Sequence, residues 1–395
     1  MGRRFEEGAR PARIAAVTGL IGVAVLAVAG LAATVLSGVM ARRIVTPSTK
    51  RADDVRVEAV DIAAGTITLQ STADSVLQGD YSFWFSGDHG HAHLGEVLRS
   101  TPEAVTRRIL RVDYGDLAAA RRGRLGGYSF LGPWDLEVDY EDVLVPTSVG
   151  DAPAWLIPAA VPGGRWVIQV HGRGVRRQET LRAVPVFRDA GFTSLLISYR
   201  NDGEAPVSAD GRYGLGDTEW QDAEAALAFA ASRGATEIVL MGWSMGGAIV
   251  LQAATRSRLR ELVVGVVLDS PVIDWADVVA YQGGSLGLPG MVSSGAMQVL
   301  GRRWGGRITG QSAPIDFGRL DFVSRAGDLD LPVLLMHSDD DGYVPATGSR
   351  ALAVRRPDIV TFLPFTVARH TKLWNYDRES WNQAITNWLA TLPAR

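Results

Sequence analysis

Apolar and polar positions along the chain change rhythm twice, which divides it into three stretches. In the first, no charged residue occurs from Ile14 to Met40. At a helical rise of about 1.5 Å per residue, that run is long enough to cross a bilayer. It predicts a transmembrane helix or signal anchor over 14–40, preceded by a polar tail at 1–13 with Arg3, Arg4, Arg10 and Arg13. In the second stretch, up to about residue 137, apolar and polar side chains alternate in short runs. Val55–Val60, Thr66–Leu69, Tyr81–Phe85 and Ile109–Val112 have the period of half-buried strands, and Gly65, Gly79, Gly87 and Gly95 punctuate them. A β-rich accessory module is expected over 44–137.

In the third stretch strand-like and helix-like runs take turns. Residues 138–145 and 154–157 predict an antiparallel hairpin. Further strands are expected at 166–170, 193–198, 238–241, 262–268, 333–336 and 359–363, with helices at 178–190, 218–233 and 247–258. The runs at 262–268 and 333–336 lack alternation, as strands covered on both faces do. Such alternation of elements gives an α/β domain over 138–395 with a mainly parallel sheet and right-handed crossovers. The interval 270–330 is too long for one crossover and predicts a small helical cap.

Composition narrows the function. With 395 residues and 47% hydrophobic content, the chain can bury a large core. A net charge of −3 argues against a nucleic-acid partner. The absence of cysteine excludes disulfides, thiolate metal sites and a cysteine nucleophile. Basic residues flank the apolar run on both sides, with Arg42, Arg43, Lys50 and Arg51 after it. The expected placement is single-pass in the membrane, with the C-terminal part extracytoplasmic and the bilayer as a partner through residues 14–40. On this reading residues 1–43 fix location only and folding does not need them.

Chemistry concentrates at Gly242-Trp243-Ser244-Met245-Gly246, set between the strand ending at Met241 and the helix-like run from Ala248. Strand, tight turn and helix in that order are the setting of a nucleophile elbow. A serine hydroxyl needs a base, and the base needs an orienting carboxylate. In an open α/β sheet these groups belong at the C-terminal strand ends. His171, His337 and His370 all follow strands, as do Asp269 and the run Asp339-Asp340-Asp341. A second cluster, His89, His91 and His93, has the spacing that puts all three side chains on one face of a strand. It fits either a metal site or a polar turn entering a solvated strand. We assign no metal and no cofactor.

Four segments together resemble the α/β-hydrolase superfamily, on its esterase and serine-peptidase-like side. They are His171-Gly172-Arg173-Gly174, the elbow, the loop His337-Ser338-Asp339-Asp340-Asp341-Gly342-Tyr343-Val344-Pro345, and the late His370. Ser338 stands where the family's acid loop has glycine. The resemblance covers residues 138–395. It implies a mainly parallel sheet flanked by helices, with Ser244 as nucleophile, His370 as base and Asp341 as acid, ahead of Asp339 and Asp269. It also implies an oxyanion hole from the Met245 and Arg173 amides, with the Arg173 side chain idle and His171 and His337 structural. The loop from Arg200 to Pro206 is expected at the mouth. The implied function is that of a membrane-anchored serine hydrolase cleaving carboxylic esters through an acyl-enzyme. A peptide or amide hydrolase of the same fold, and an inactive scaffold used for binding, are the alternatives. The implied partner is a small ester or a short peptide.

Overall fold

The computed structural model describes residues 30–48 and 51–392. Residues 30–45 form helix α1. Six antiparallel strands follow: β1 (Val55–Asp61), β2 (Thr66–Gln70), β3 (Tyr81–Phe85), β4 (Gly90–Ser100), β5 (Ala104–Tyr114) and β6 (Arg122–Gly126). They close into a barrel in the order β1-β2-β5-β4-β3-β6, around Ile67, Leu69, Phe83, Phe85, Leu94 and Val105. Alternation did not signal β4 or β6, because glycine interrupts both. A Cβ at Gly90 would lie 2.0 Å from the Phe85 ring, and one at Gly123 would lie 2.3 Å from the Phe83 ring. The aromatic side chain of the paired strand fills the space a side chain would need. Arg107 is buried and donates to the carbonyls of Ser75, Leu77, Gly79 and Gly95, tying the β2–β3 connection to β4. Burial pushes its pKa down to about 10, so it stays charged at neutral pH.

The rest of the chain builds one eight-stranded sheet, ordered β14-β13-β12-β11-β9-β10-β8-β7. The strands are β7 (Glu141–Thr147), β8 (Gly150–Ile157), β9 (Arg165–Val170), β10 (Thr193–Ile197), β11 (Glu237–Trp243), β12 (Val263–Asp269), β13 (Val333–Ser338) and β14 (Val360–Phe365). β7 and β8 form the antiparallel hairpin, β8 pairs antiparallel with β10, and all remaining pairs are parallel. Helices cover both faces: α2 (Val184–Asp189), α3 (Trp220–Ser232), α4 (Met245–Arg256), the cap helices α5 (Trp275–Ser285), α6 (Gly290–Leu300), α7 (Gly306–Thr309) and α8 (Phe317–Leu320), then α9 (Thr347–Arg355), α10 (Leu373–Tyr376) and α11 (Arg378–Leu389). β11 shows the two faces clearly. Its Ile238 and Leu240 join the core under α3 and α4, while Val239, Met241 and Trp243 join the core under α2 and α11.

The N-terminal expectation needs correction. Residues 14–29 of the predicted anchor lie outside the described residues. Among the described residues, no helix is long and apolar enough to cross a membrane. The remainder of the run belongs to α1, which docks on the hydrolase-like domain. Ser37, Ala41 and Val45 are buried, spaced four apart and hence on one helix face. Ser37 Oγ donates to the Val292 carbonyl of α6 at 3.1 Å, and the Tyr213 amide donates to the Val45 carbonyl at 2.9 Å. Ala41 and Val45 belong to the main core cluster. The transmembrane helix, the bilayer as a partner through residues 14–40, and the single-pass, extracytoplasmic placement are therefore withdrawn. So is the idea that residues 1–43 are dispensable for folding. Within residues 1–43, Ala41 joins the same core that carries the sheet, and Ser37 is buried against α6.

Candidate active site

β11 ends at Trp243 and α4 begins at Met245, leaving Ser244 alone in the turn between them. Its backbone has φ 51° and ψ −119°. A non-glycine residue held there stores about 1–3 kcal/mol of strain. Three backbone hydrogen bonds impose it: Ser244 N to the Asp269 carbonyl at 3.1 Å, Val272 N to the Ser244 carbonyl at 3.0 Å, and Gly247 N to the same carbonyl at 2.9 Å. The flanking glycines are required by contact. A Cβ at Gly242 would lie 2.3 Å from the Gly246 carbonyl oxygen, and one at Gly246 would lie 2.2 Å from that of Val170.

The turn carries Ser244 to His370. Ser244 Oγ lies 2.9 Å from His370 Nε2, and His370 Nδ1 lies 2.7 Å from Asp341 Oδ2. The carboxylate assigns the imidazole proton to Nδ1, leaving Nε2 to accept from the serine hydroxyl. Asp341 is buried, and its Oδ1 accepts from the amides of Tyr343 and Val344 at 2.8 and 2.9 Å. Burial alone would push its carboxyl up. His370 and His337, the latter 3.2 Å away, outweigh that and hold it well below the usual carboxylate range. The other carboxylates are engaged elsewhere. Asp339 pairs with Arg350, Asp340 faces Arg369 at 3.3 Å, and Asp269 accepts from Ser270 Oγ and Trp381 Nε1, each at 2.9 Å. His337 bonds to Ser349 and to the Val344 carbonyl within the acid loop.

The loop bearing His370 is braced by the barrel, which no sequence pattern indicated. Lys372 Nζ lies 2.8 Å from Asp74, in the β2–β3 connection. Asn375 Nδ2 donates to the Asp80 carbonyl at 2.8 Å, and the Asp80 amide returns a bond to the Asn375 carbonyl. Buried Arg182 donates to the Thr371 carbonyl at 2.7 Å and to Asn375 Oδ1 at 2.9 Å.

On the opposite side, a Cβ at Gly172 would lie 3.2 Å from Ser244 Cβ, so the turn after β9 runs against the serine. Tyr199 OH donates to the Gly172 carbonyl at 2.7 Å, and the Gly172 amide donates to Glu179 at 2.8 Å. His171 is buried, stacked on Tyr199, and 3.1 Å from Asp202. Met245 is the first residue of α4, so its N–H has no partner four residues back within the helix. The Arg173 side chain is not idle. Its Nη2 donates to the Arg43 carbonyl at 2.9 Å, its Nη1 reaches Tyr343 OH at 3.5 Å, and its guanidinium lies over the Tyr213 ring. It ties the end of α1 and the acid loop to this turn.

A model of the alpha/beta hydrolase family matches residues 143–379. The chain belongs to that family. Residues 56–126, within the barrel, match a domain of unknown function, DUF8805. No curated protein matches the chain. Among solved structures, the Pyrococcus furiosus esterase Pf2001 superposes with a TM-score of 0.52 at 18% identity, covering 67% of this chain and 95% of its own. EstE1, a thermophilic carboxylesterase cloned from a metagenomic library, gives 0.48 at 19% identity, covering 65% and 90%. At such identities the likeness concerns the fold.

This alpha/beta hydrolase keeps its remaining singled-out histidines in the barrel. His89 is exposed in the turn before β4. His91 and His93 lie on β4 and meet Asp113 of β5, at 2.5 Å from His91 Nδ1 and 3.1 Å from His93 Nε2. Asp113 was invisible as a partner in the sequence because it arrives from the neighbouring strand. One donor atom from each of the three residues lies within 4.8 Å of the others, enough for three metal ligands. Arg111 already brings a positive charge to the cluster, 2.5 Å from Asp113 Oδ1 and 3.1 Å from His93 Nε2. Burial pushes the His91 pKa down to about 4, so its imidazole is neutral at pH 7.

Proposed function

We propose that this alpha/beta hydrolase is a serine hydrolase that cleaves carboxylic esters through an acyl-enzyme. Its hydrolase unit would span residues 138–395 with a cap at 270–330, and its accessory module residues 44–137. One observation carries the reading: the continuous chain from Ser244 Oγ through His370 to the buried Asp341, at 2.9 and 2.7 Å. Ester chemistry is favoured over amide chemistry because Pf2001, a solved structure of like fold, is named an esterase.

His370 Nε2 takes the hydroxyl proton as Ser244 Oγ attacks the ester carbonyl. The negative charge moves to the carbonyl oxygen, where the Met245 and Arg173 amides donate to it. The tetrahedral intermediate collapses, the carbon–oxygen bond to the alcohol breaks, and His370 returns the proton to the departing alkoxide. A water then loses its proton to His370 and attacks the acyl-enzyme. Release of the acid restores Ser244. Asp341 stays ionised throughout, fixing the Nδ1–H tautomer and stabilising the imidazolium.

A fluorophosphonate probe tests this directly. It should label Ser244 in the wild type and fail on both Ser244→Ala and His370→Ala. Hydrolysis of a 4-nitrophenyl ester should fall by about 10⁴-fold or more in Ser244→Ala, with little change in stability. A folded Ser244→Ala variant that keeps a tenth of the activity would sink the proposal. Faster turnover of aminoacyl amides than of esters would move the enzyme to the amide class.

A further inference from the structure

His370 sits in the loop after β14, and the residue next to it is strained. Thr371 has φ 51°. A β-branched side chain is seldom found at positive φ, because its Cβ then crowds the following carbonyl oxygen. Two hydrogen bonds hold Thr371 there. Its amide donates to Ser270 Oγ at 3.1 Å, and Ser270 Oγ donates in turn to Asp269 at 2.9 Å. Its carbonyl accepts from Arg182 Nη1 at 2.7 Å. The held amide belongs to the peptide that leaves His370. These bonds therefore fix the backbone on which the imidazole is mounted.

Arg182 is buried in the short 3-10 helix at Arg177–Ala183. Besides Thr371, its Nη1 reaches Asn375 Oδ1 at 2.9 Å and, just after β6, the Gly127 carbonyl at 3.2 Å. Its Nη2 faces Glu179 Oε1, one turn earlier in the same helix, at 3.7 Å. Glu179 is buried as well, and its Oε2 accepts from the Gly172 amide at 2.8 Å. One buried ion pair thus holds backbone on both sides of Ser244: the turn after β9 through Glu179, and the His370 loop through Arg182. Such a pair adds little net stability, since apolar side chains of like volume serve a core as well. What it adds here is a fixed spacing between two backbone segments.

We propose that Arg182, together with Glu179, is a positioning residue of the active site. It holds Thr371 in its strained conformation and so sets the His370 imidazole against Ser244. Each of the two acts through the backbone it holds, not on the reacting atoms. This role rests on the serine-hydrolase reading above.

Combining Glu179→Gln with Arg182→Met removes the pair without leaving one partner's charge behind, and Gln keeps an acceptor for the Gly172 amide. On a 4-nitrophenyl ester kcat should fall by about a hundredfold while KM stays within about twofold, as a small misplacement of a catalytic group gives. Arg182→Lys keeps the charge and one donor nitrogen, so it should keep part of the rate. It carries the test if the double variant does not fold. Thr371→Gly, added to either variant, should recover part of the lost kcat, because glycine takes a positive φ without strain. A side chain that only supported the fold would show no such rescue. A folded variant with kcat within about threefold of the wild type, or a loss that Thr371→Gly leaves untouched, overturns the proposal.

Proton NMR of the full chain reads the geometry without turnover. The Nδ1–H protons of His370 and His91 both face a carboxylate and should resonate far downfield, assigned by their loss in His370→Ala and His91→Ala. In the positioning variants the His370 resonance should shift or broaden while that of His91 stays. Movement of both, or of neither, overturns the positioning role. If the His370 resonance alone moves while wild-type Ser244 resists the fluorophosphonate, the serine mechanism fails and the positioning role stands.

Discussion

Two imidazole–carboxylate pairs of this protein look alike at one end and differ at the other. His370 presents Nδ1 to Asp341 at 2.7 Å, and His91 presents Nδ1 to Asp113 at 2.5 Å. The far nitrogen of His370 meets Ser244 Oγ at 2.9 Å. The far nitrogen of His91 is buried without a hydrogen-bond partner, with the Trp84 ring centroid 4.3 Å from that of the imidazole. The pair by itself is therefore not a catalytic device. What sets His370 apart is a strained turn that delivers a hydroxyl to its second nitrogen, with the Met245 N–H, which has no partner within the helix, beside it. The elbow supplies both, and the barrel supplies neither.

The strongest way to break this contrast is to remove the charge behind His370. Asp341→Asn keeps the shape and favours the wrong tautomer, so kcat on an activated ester should fall by up to about 10⁴-fold. Asp339→Asn and Asp340→Asn should cost roughly tenfold or less, because their partners are Arg350 and Arg369. Near-wild-type turnover in Asp341→Asn would dissolve the distinction between the two pairs. The same variant carries a pH signature. The Asp341 pKa is depressed in the fold, so its stabilisation is complete above the ordinary carboxylate pKa and fades as pH falls towards the depressed value. Urea midpoints at pH 7 and pH 3 should therefore differ less in Asp341→Asn than in the wild type.

A smaller effect is expected at the edge of the site. Arg173→Ala releases the tie between the turn after β9, the Arg43 carbonyl and Tyr343. Loss of positioning should lower kcat by roughly ten- to a hundredfold while fluorophosphonate still labels Ser244. A change in KM alone would assign the side chain to binding instead. The smallest effect on turnover belongs to the barrel pair. His91→Ala should cost about 2 kcal/mol in denaturant unfolding through the cavity it leaves, yet change kcat on a small activated ester by no more than about twofold. A large loss of rate would give the barrel pair a chemical role and remove the contrast altogether.

Much of the hydrolase sheet was legible because each strand declares itself locally. Val263–Asp269 and Val333–Ser338 begin as continuous apolar runs, to Leu268 and Met336, and both are buried throughout. The elbow was legible for a similar reason, since Gly242 and Gly246 must pass backbone within a residue or two of the serine. The barrel was only half legible. Gly90 and Gly123 lower strand propensity, and what compensates them is the rings of Phe85 and Phe83 on β3. The apolar run at 14–40 misled because hydropathy measures length and not facing. Where α1 is described, the face that packs on the cap and core is Ser37, Ala41 and Val45, of which only Ser37 belongs to the run, while Leu31, Val35 and Val39 of the run are exposed.

The sequence by itself determined the order of strands and helices, the turn at Ser244 and the residue types able to act there. These follow from backbone sterics and periodicity over a few neighbouring positions. Only the tertiary structure decided that Asp74 and Asp80 of the barrel brace the His370 loop, that Arg182 takes the Thr371 carbonyl, and that α1 completes the core. Each of these needs two surfaces contributed by segments far apart in the chain. Neither segment's pattern encodes the shape of the other, so the contact exists only once both are folded.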